Sequence, residues 1–168
     1  MATDPGVFDT LSLDELEEAS GELHRRIGMA LRDIDELRAD EWDFEGLSPR
    51  RRVCGYVALL ELAAQTLGAI TAGIDAPTER LDEHPAIVAA TMYAAPTIPA
   101  LLSRLEQDRR QLVSLARGRE TMLDQESTTP WGLVTTRRIV VESSIAEAAR
   151  CAMALEQFLH HLDADERV

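Results

Sequence analysis

Aromatic residues make up only 4% of this 168-residue chain, while Ala, Leu, Glu and Arg abound. That balance disfavours sheets and favours helices, because the abundant side chains lose little rotamer freedom in a helix. The two cysteines, Cys54 and Cys151, lie far apart with no CxxC or other ligand spacing. They read as buried thiols rather than as a disulfide framework or a metal site. Glu-x-x-His motifs are absent, which excludes the ferritin-like di-iron bundle. Gly-x-Ser-x-Gly, phosphate-cradling glycine loops and dinucleotide fingerprints are also missing, so no standard catalytic signature is present. Basic residues are outnumbered 17 to 30 by acidic ones, for a net charge of −13 and a pI near 4.7. On that ground neither nucleic acid nor an anionic membrane is expected as a partner. Met1 to Thr10 lacks a basic segment followed by an apolar one, so no signal peptide and a cytoplasmic location are expected.

What is present is helical periodicity on a scale that suits one domain spanning residues 1–168, with 1–11 and 163–168 frayed. Ser12-Leu13-Asp14-Glu15 is a capping box. The stripe Leu13, Leu16, Ser20, Leu23, Ile27, Ala30, Ile34 and Leu37 then recurs at steps of three and four, as in a bundle seam. Ser48-Pro49 opens a second helix, by a serine cap and a proline at the first helical position, and Asp75-Ala76-Pro77 closes it. Pro85 to Tyr93 predicts a short helix. Pro96 and Pro99 interrupt the chain before another from about Ala100 to Arg117, with Leu101, Leu102, Leu105, Leu112 and Leu115 inward and Gln107 to Arg110 toward water. A turn-rich stretch, Thr128 to Gly132, precedes a last helix over 134–162, whose seam is Val141, Ile145, Ala148, Ala152, Leu155, Leu159 and Leu162. The expected fold is all-α: an antiparallel four-helix bundle with a broken third helix.

From Val53 to Ile74 the chain runs 22 residues with a single formal charge, Glu61. Length and the preceding Arg50-Arg51-Arg52 suit a membrane anchor, but Ala, Gly and Thr outweigh Leu and Ile, and Glu61 and Gln65 sit mid-span. A buried core helix is the better reading, and its apolar surplus marks either the most enclosed helix or a dimer interface. A lone carboxylate in such a helix must be paired or face a cavity. Pairing with Arg137 is one solution and needs no function. A pocket-lining Glu61, desolvated enough to serve as a general acid or base, is the other. Cys54, Glu61 and Gln65 share a face and Tyr56 lies elsewhere, while Arg137, Ser144 and Cys151 fall on or beside the inner face of the last helix. The histidines look peripheral: His24 lies one step off the first seam, His84 precedes Pro85, and His160 and His161 fall in the last turns.

The order of segments resembles the DinB-like metal-binding bundle family, which includes thiol-dependent transferases and isomerases. The likeness rests on the amphipathic first helix and on the passage Asp40-Glu41-Trp42 through Leu47-Ser48 into Arg52-Val53-Cys54-Gly55-Tyr56-Val57. Pro130-Trp131-Gly132 leading into Thr135-Thr136-Arg137-Arg138 completes it. The resemblance implies the bundle fold. It also implies a metal held by a histidine early on the second helix and a His-x-x-x-His pair on the fourth. Those positions hold Tyr56 or Gly55, and Ser143 with Glu147 or Ile145 with Ala149, so no metal and no other cofactor is carried over.

Two readings follow. One is a metal-free bundle whose interior pocket, lined by Tyr56, Glu61, Gln65, Arg137, Ser144 and Cys54, binds a small organic molecule. Glu61 would there carry a proton, with Tyr56 or Arg137 orienting the substrate. The alternative is a non-catalytic homodimeric interaction module.

Overall fold

A computed structural model describes residues 8, 10–41 and 46–165. Helix α1 spans Leu13–Asp33, α2 Pro49–Ala72, α3 Pro85–Ala94 and α4 Ile98–Arg117. A hairpin of β1 (Glu126–Thr129) and β2 (Gly132–Thr135) leads into α5 (Thr136–Val140). A π-helical segment, Val141–Ala146, joins α5 to α6 (Glu147–Asp165). The helix is thus intact through Asp165, beyond the expected fraying point. The chain forms the expected all-α bundle, with α2 packed on α4, α3 and α6, and α1 on α6 and α4.

Local chemistry sets the boundaries. Ser12 and Glu15 form the reciprocal capping box, with Ser12 N donating to Glu15 Oε2 at 2.7 Å. Ser48 caps α2 ahead of Pro49, and Gly73 ends it at φ 69°, a left-handed conformation that glycine adopts without a Cβ clash. His84 and Thr97 cap α3 and α4. The axes of α3 and α4 differ by 113°. Arg50 holds that corner: its guanidinium donates to Pro96 O at 2.9 Å, Glu36 Oε2 at 2.7 Å and Asp40 Oδ1 at 3.0 Å. Glu36 in turn accepts from Ile98 N at 2.7 Å, so one ion pair ties the end of α1 to the start of α4.

The core seam of α1 runs through Leu13, Leu16, Ser20, His24, Ile27, Leu31 and Ile34. His24, expected at the boundary, takes the inner position and Leu23 is only partly buried, while Leu37 lies past the helix end at 87% exposure. The turn expected at Thr128 to Gly132 is the tip of the hairpin, with Thr129 paired to Gly132. Both cysteines are free thiols in the core.

Among the described residues α2 is the one unbroken helix long and apolar enough to cross a membrane, yet 67% of its most apolar window is buried inside the bundle. Most of its apolar surface meets the other helices of the same chain.

Candidate functional site

The helix break builds a cleft. Because α3 turns away from α4, the two helices and α2 leave a space of about 500 Å³ between them. One wall is Ile87 with Ala90, Ala94, Ala95 and Ala100, side chains short enough to leave room; the other is Glu61, Ser103, Arg104 and Gln107. This volume and this mix of apolar wall with few polar groups suit a small-molecule site.

Glu61 is therefore neither deeply buried nor paired with Arg137. Its side chain is 28% exposed, and Arg104 Nη2 donates to its Oε1 at 2.5 Å. The same guanidinium donates through Nε to Asp108 Oδ2 at 3.1 Å, so one arginine bridges two carboxylates. Asp108 is 3% exposed. Burial pushes its carboxyl up to about 6, against the opposing pull of Arg104, and the nearby Glu61 charge adds to the rise. Asp108 was expected toward water; it lies on the core stripe Leu101, Leu105, Asp108, Leu112, at steps of four, three and four. That spacing is the signal that locates it.

The other expected site residues do not converge on the cleft. Gln65, one turn past Glu61, is exposed. Cys54 is buried, and desolvation raises its thiol to about 12. Arg137 donates to Asp124 Oδ1 at 2.7 Å and to the Leu11 carbonyl, anchoring the hairpin end of the bundle. Ser144 donates to Val140 O at 2.7 Å within its own helix. Tyr56 is 2% exposed and its hydroxyl is bonded to His24 Nε2. Burial raises the phenol well above its ordinary range and, with Arg109 nearby, lowers the His24 imidazole to about 3. These two rings form a neutral polar pair inside the bundle.

The positions that the family resemblance assigns to a metal hold an unsuitable donor set. Tyr56 faces His24, Ser143 donates to Ile139 O at 2.6 Å, and Glu147 is paired with Arg150. Ile145 and Ala149 offer no donor. The adjoining cavity of about 460 Å³ is lined by Arg51, Arg52, Arg80 and Arg150 and by Asp82, Glu83 and Glu147, whose carboxylates are engaged by Arg80 and Arg150. Among the described residues no three of His, Cys, Asp and Glu converge as metal ligands. The residues present do not fit a bound divalent ion. Trp42, part of the sequence resemblance, lies outside the described residues.

No protein-family model matches the sequence, nor does any curated protein. Solved structures do match. The colibactin self-resistance protein ClbS in complex with a dsDNA is 17% identical with TM-score 0.71, over 88% of this chain and 95% of that one. The mycothiol-dependent maleylpyruvate isomerase is 17% identical with TM-score 0.74, over 88% of this chain and 62% of the isomerase. The sibling lethal factor precursor DfsB is 16% identical with TM-score 0.74, over 92% and 98%. The ClbS complex corrects one expectation. The exclusion of nucleic acid rested on net charge alone, and a protein of similar fold was crystallised with duplex DNA, so that exclusion does not stand. At these identities the likeness establishes architecture: the chain has the DinB-like helical-bundle fold.

Proposed function

We propose that the chain binds a small, largely apolar organic molecule in the α2–α3–α4 cleft, through a cationic or hydrogen-bond-donating group directed at Glu61. The observation that carries this reading is the partly exposed Glu61 carboxylate on the polar wall of an alanine-lined cleft of about 500 Å³. Arg104 holds that carboxylate in place and is itself shared with Asp108, which is buried outside the cleft lining, so the three charges sum to −1 when all are ionised. A fixed acceptor beside an apolar surface selects a ligand with an apolar body and a donor at one end. Structures with this fold differ in what they do, so the fold itself lends no substrate.

The test is an amide NMR titration with aromatic amines and their isosteric uncharged analogues. Shifts are expected to concentrate over residues 60–64, 87–95 and 100–107, with Glu61→Gln weakening the amines at least fivefold and leaving the analogues unchanged. Shifts confined to other faces, or equal binding by Glu61→Gln, would overturn the reading.

A further inference from the structure

All 17 basic side chains of this acidic protein are arginines; the sequence contains no lysine. Four of them gather in one place. On the face of α4 opposite the cleft, α1 and α4 enclose a groove of about 380 Å³ lined by Arg25, Arg32, Arg109 and Arg110. Gly21 and Gly28, two turns apart on α1, also line it. A Cβ at Gly21 would stand 4.0 Å from Arg109 Nη1, and one at Gly28 would stand 3.8 Å from Leu102 Cδ2, both ordinary van der Waals contact.

Neutralisation of the four guanidiniums is incomplete. Glu106 serves both Arg109, at 2.9 and 3.0 Å, and Arg110, at 2.6 Å. Glu22 serves Arg25 at 2.6 Å. Arg32 has no ion pair among the described residues, so four positive charges face two negative ones in a protein of net charge −13. His24 also lines the groove at 7% exposure, and its Nδ1 is buried without a hydrogen-bonding partner. When the Tyr56 hydroxyl donates to Nε2, the neutral ring carries its proton on Nδ1 as an N–H that lacks an acceptor; in the other tautomer Nδ1 is an acceptor that lacks a donor. Buried polar groups are ordinarily satisfied, so an orphan beside excess guanidinium is an observation to be explained.

We propose that the α1–α4 groove is a binding site for a small oxyanion, a phosphate- or carboxylate-bearing metabolite, with Arg32 and Arg110 as its principal ligands and the His24 edge at its floor. Guanidinium forks match planar and tetrahedral oxyanions through paired hydrogen bonds. Of the three exposed arginines of the groove, Arg25 is held by its own Glu22, whereas Arg32 has no carboxylate partner among the described residues and Arg110 shares Glu106 with Arg109, so a ligand can recruit these two without dismantling the core. This site is independent of the α2–α3–α4 cleft: no residue lines both.

Isothermal titration of the full chain with inorganic pyrophosphate, citrate and a short DNA duplex tests the proposal. Arg32→Gln/Arg110→Gln is compared with Arg51→Gln/Arg150→Gln, which removes the same charge elsewhere on the surface. Pyrophosphate or citrate is expected to bind the wild type, the first double variant to weaken it at least tenfold, and the second to stay within twofold. Whichever probe binds more tightly identifies phosphate or carboxylate as the preferred group. Amide shifts on binding are expected at Gly21 and Gly28. Absence of binding by both small anions would overturn the proposal, as would equal weakening by the two double variants. Duplex binding that needs Arg32 and Arg110, without binding of either small anion, would overturn it in favour of a polymer backbone.

Discussion

Replacing Asp108 by asparagine separates the cost of a buried charge from the benefit of its ion pair. Asp108 is 3% exposed, and its folded pKa of about 6 stands above the ordinary 3.8. A carboxyl whose pKa rises on folding destabilises the native state while ionised, and that penalty fades as pH falls through 6 toward 3.8. The gap of roughly two units corresponds to about 3 kcal/mol at neutral pH, falling to about 1 kcal/mol near pH 4.5. Asparagine keeps the shape and an acceptor for Arg104 Nε, and the charge-assisted bond it gives up is already contained in the folded pKa, which is net of the Arg104 attraction. Asp108→Asn is therefore expected to stabilise the chain by about 3 kcal/mol near pH 7.5 and by only about 1 kcal/mol near pH 4.5. Urea unfolding of both proteins at the two pH values reads it. Other groups titrate in this interval, His24 above all, because its folded pKa near 3 makes acid destabilising below its ordinary 6.5. They cancel in the difference between variant and wild type. An asparagine variant less stable than wild type near pH 7.5, or a difference that does not move with pH, would refute the reasoning.

Other outcomes follow from the same contacts. Tyr56→Phe leaves His24 Nε2 unpartnered in the core and should cost about 1–3 kcal/mol, lowering Tm in calorimetry by about 2–4 °C for each kcal/mol. The His24 ring should show no protonation step between about pH 8 and pH 5 by NMR, since burial and Arg109 hold it at about 3. Arg50→Ala removes all three ties at the α3–α4 corner and should cost about 2–4 kcal/mol in urea unfolding. Cys54 and Cys151, both raised to about 12 by burial, should resist a thiol reagent in the native protein and react fully in denaturant.

The parts of the fold written in local chemistry were legible. Ser12 with Glu15, Ser48 with Pro49, and the prolines around Thr97 fix helix ends by interactions a few residues long, and the structure keeps them. The lone charge in α2 correctly singled out Glu61 as a residue needing an explanation. Its partner was not legible, because Arg104 lies 43 residues away and only the packing of α4 on α2 brings the two together. Arg137 carries the same charge, but its helix packs it toward Asp124 and Leu11. Asp108 and His24 were misplaced for other reasons. Asp108 was assigned to water by polarity, although it stands three past Leu105; Leu23 as the seam residue sets His24 one step off the seam, although His24 stands four past Ser20. Periodicity was the stronger signal. The hairpin was legible only as a turn, since strands of four residues leave little alternation to detect.

Filling the cleft tests the central claim most directly. Ala94 is exposed on its wall, so Ala94→Phe occupies the space without disturbing the core. Titration of this variant with the tightest aromatic amine found for the wild type should show binding weakened at least tenfold at unchanged Tm; unchanged affinity would contradict the account, because the ligand would then lie elsewhere.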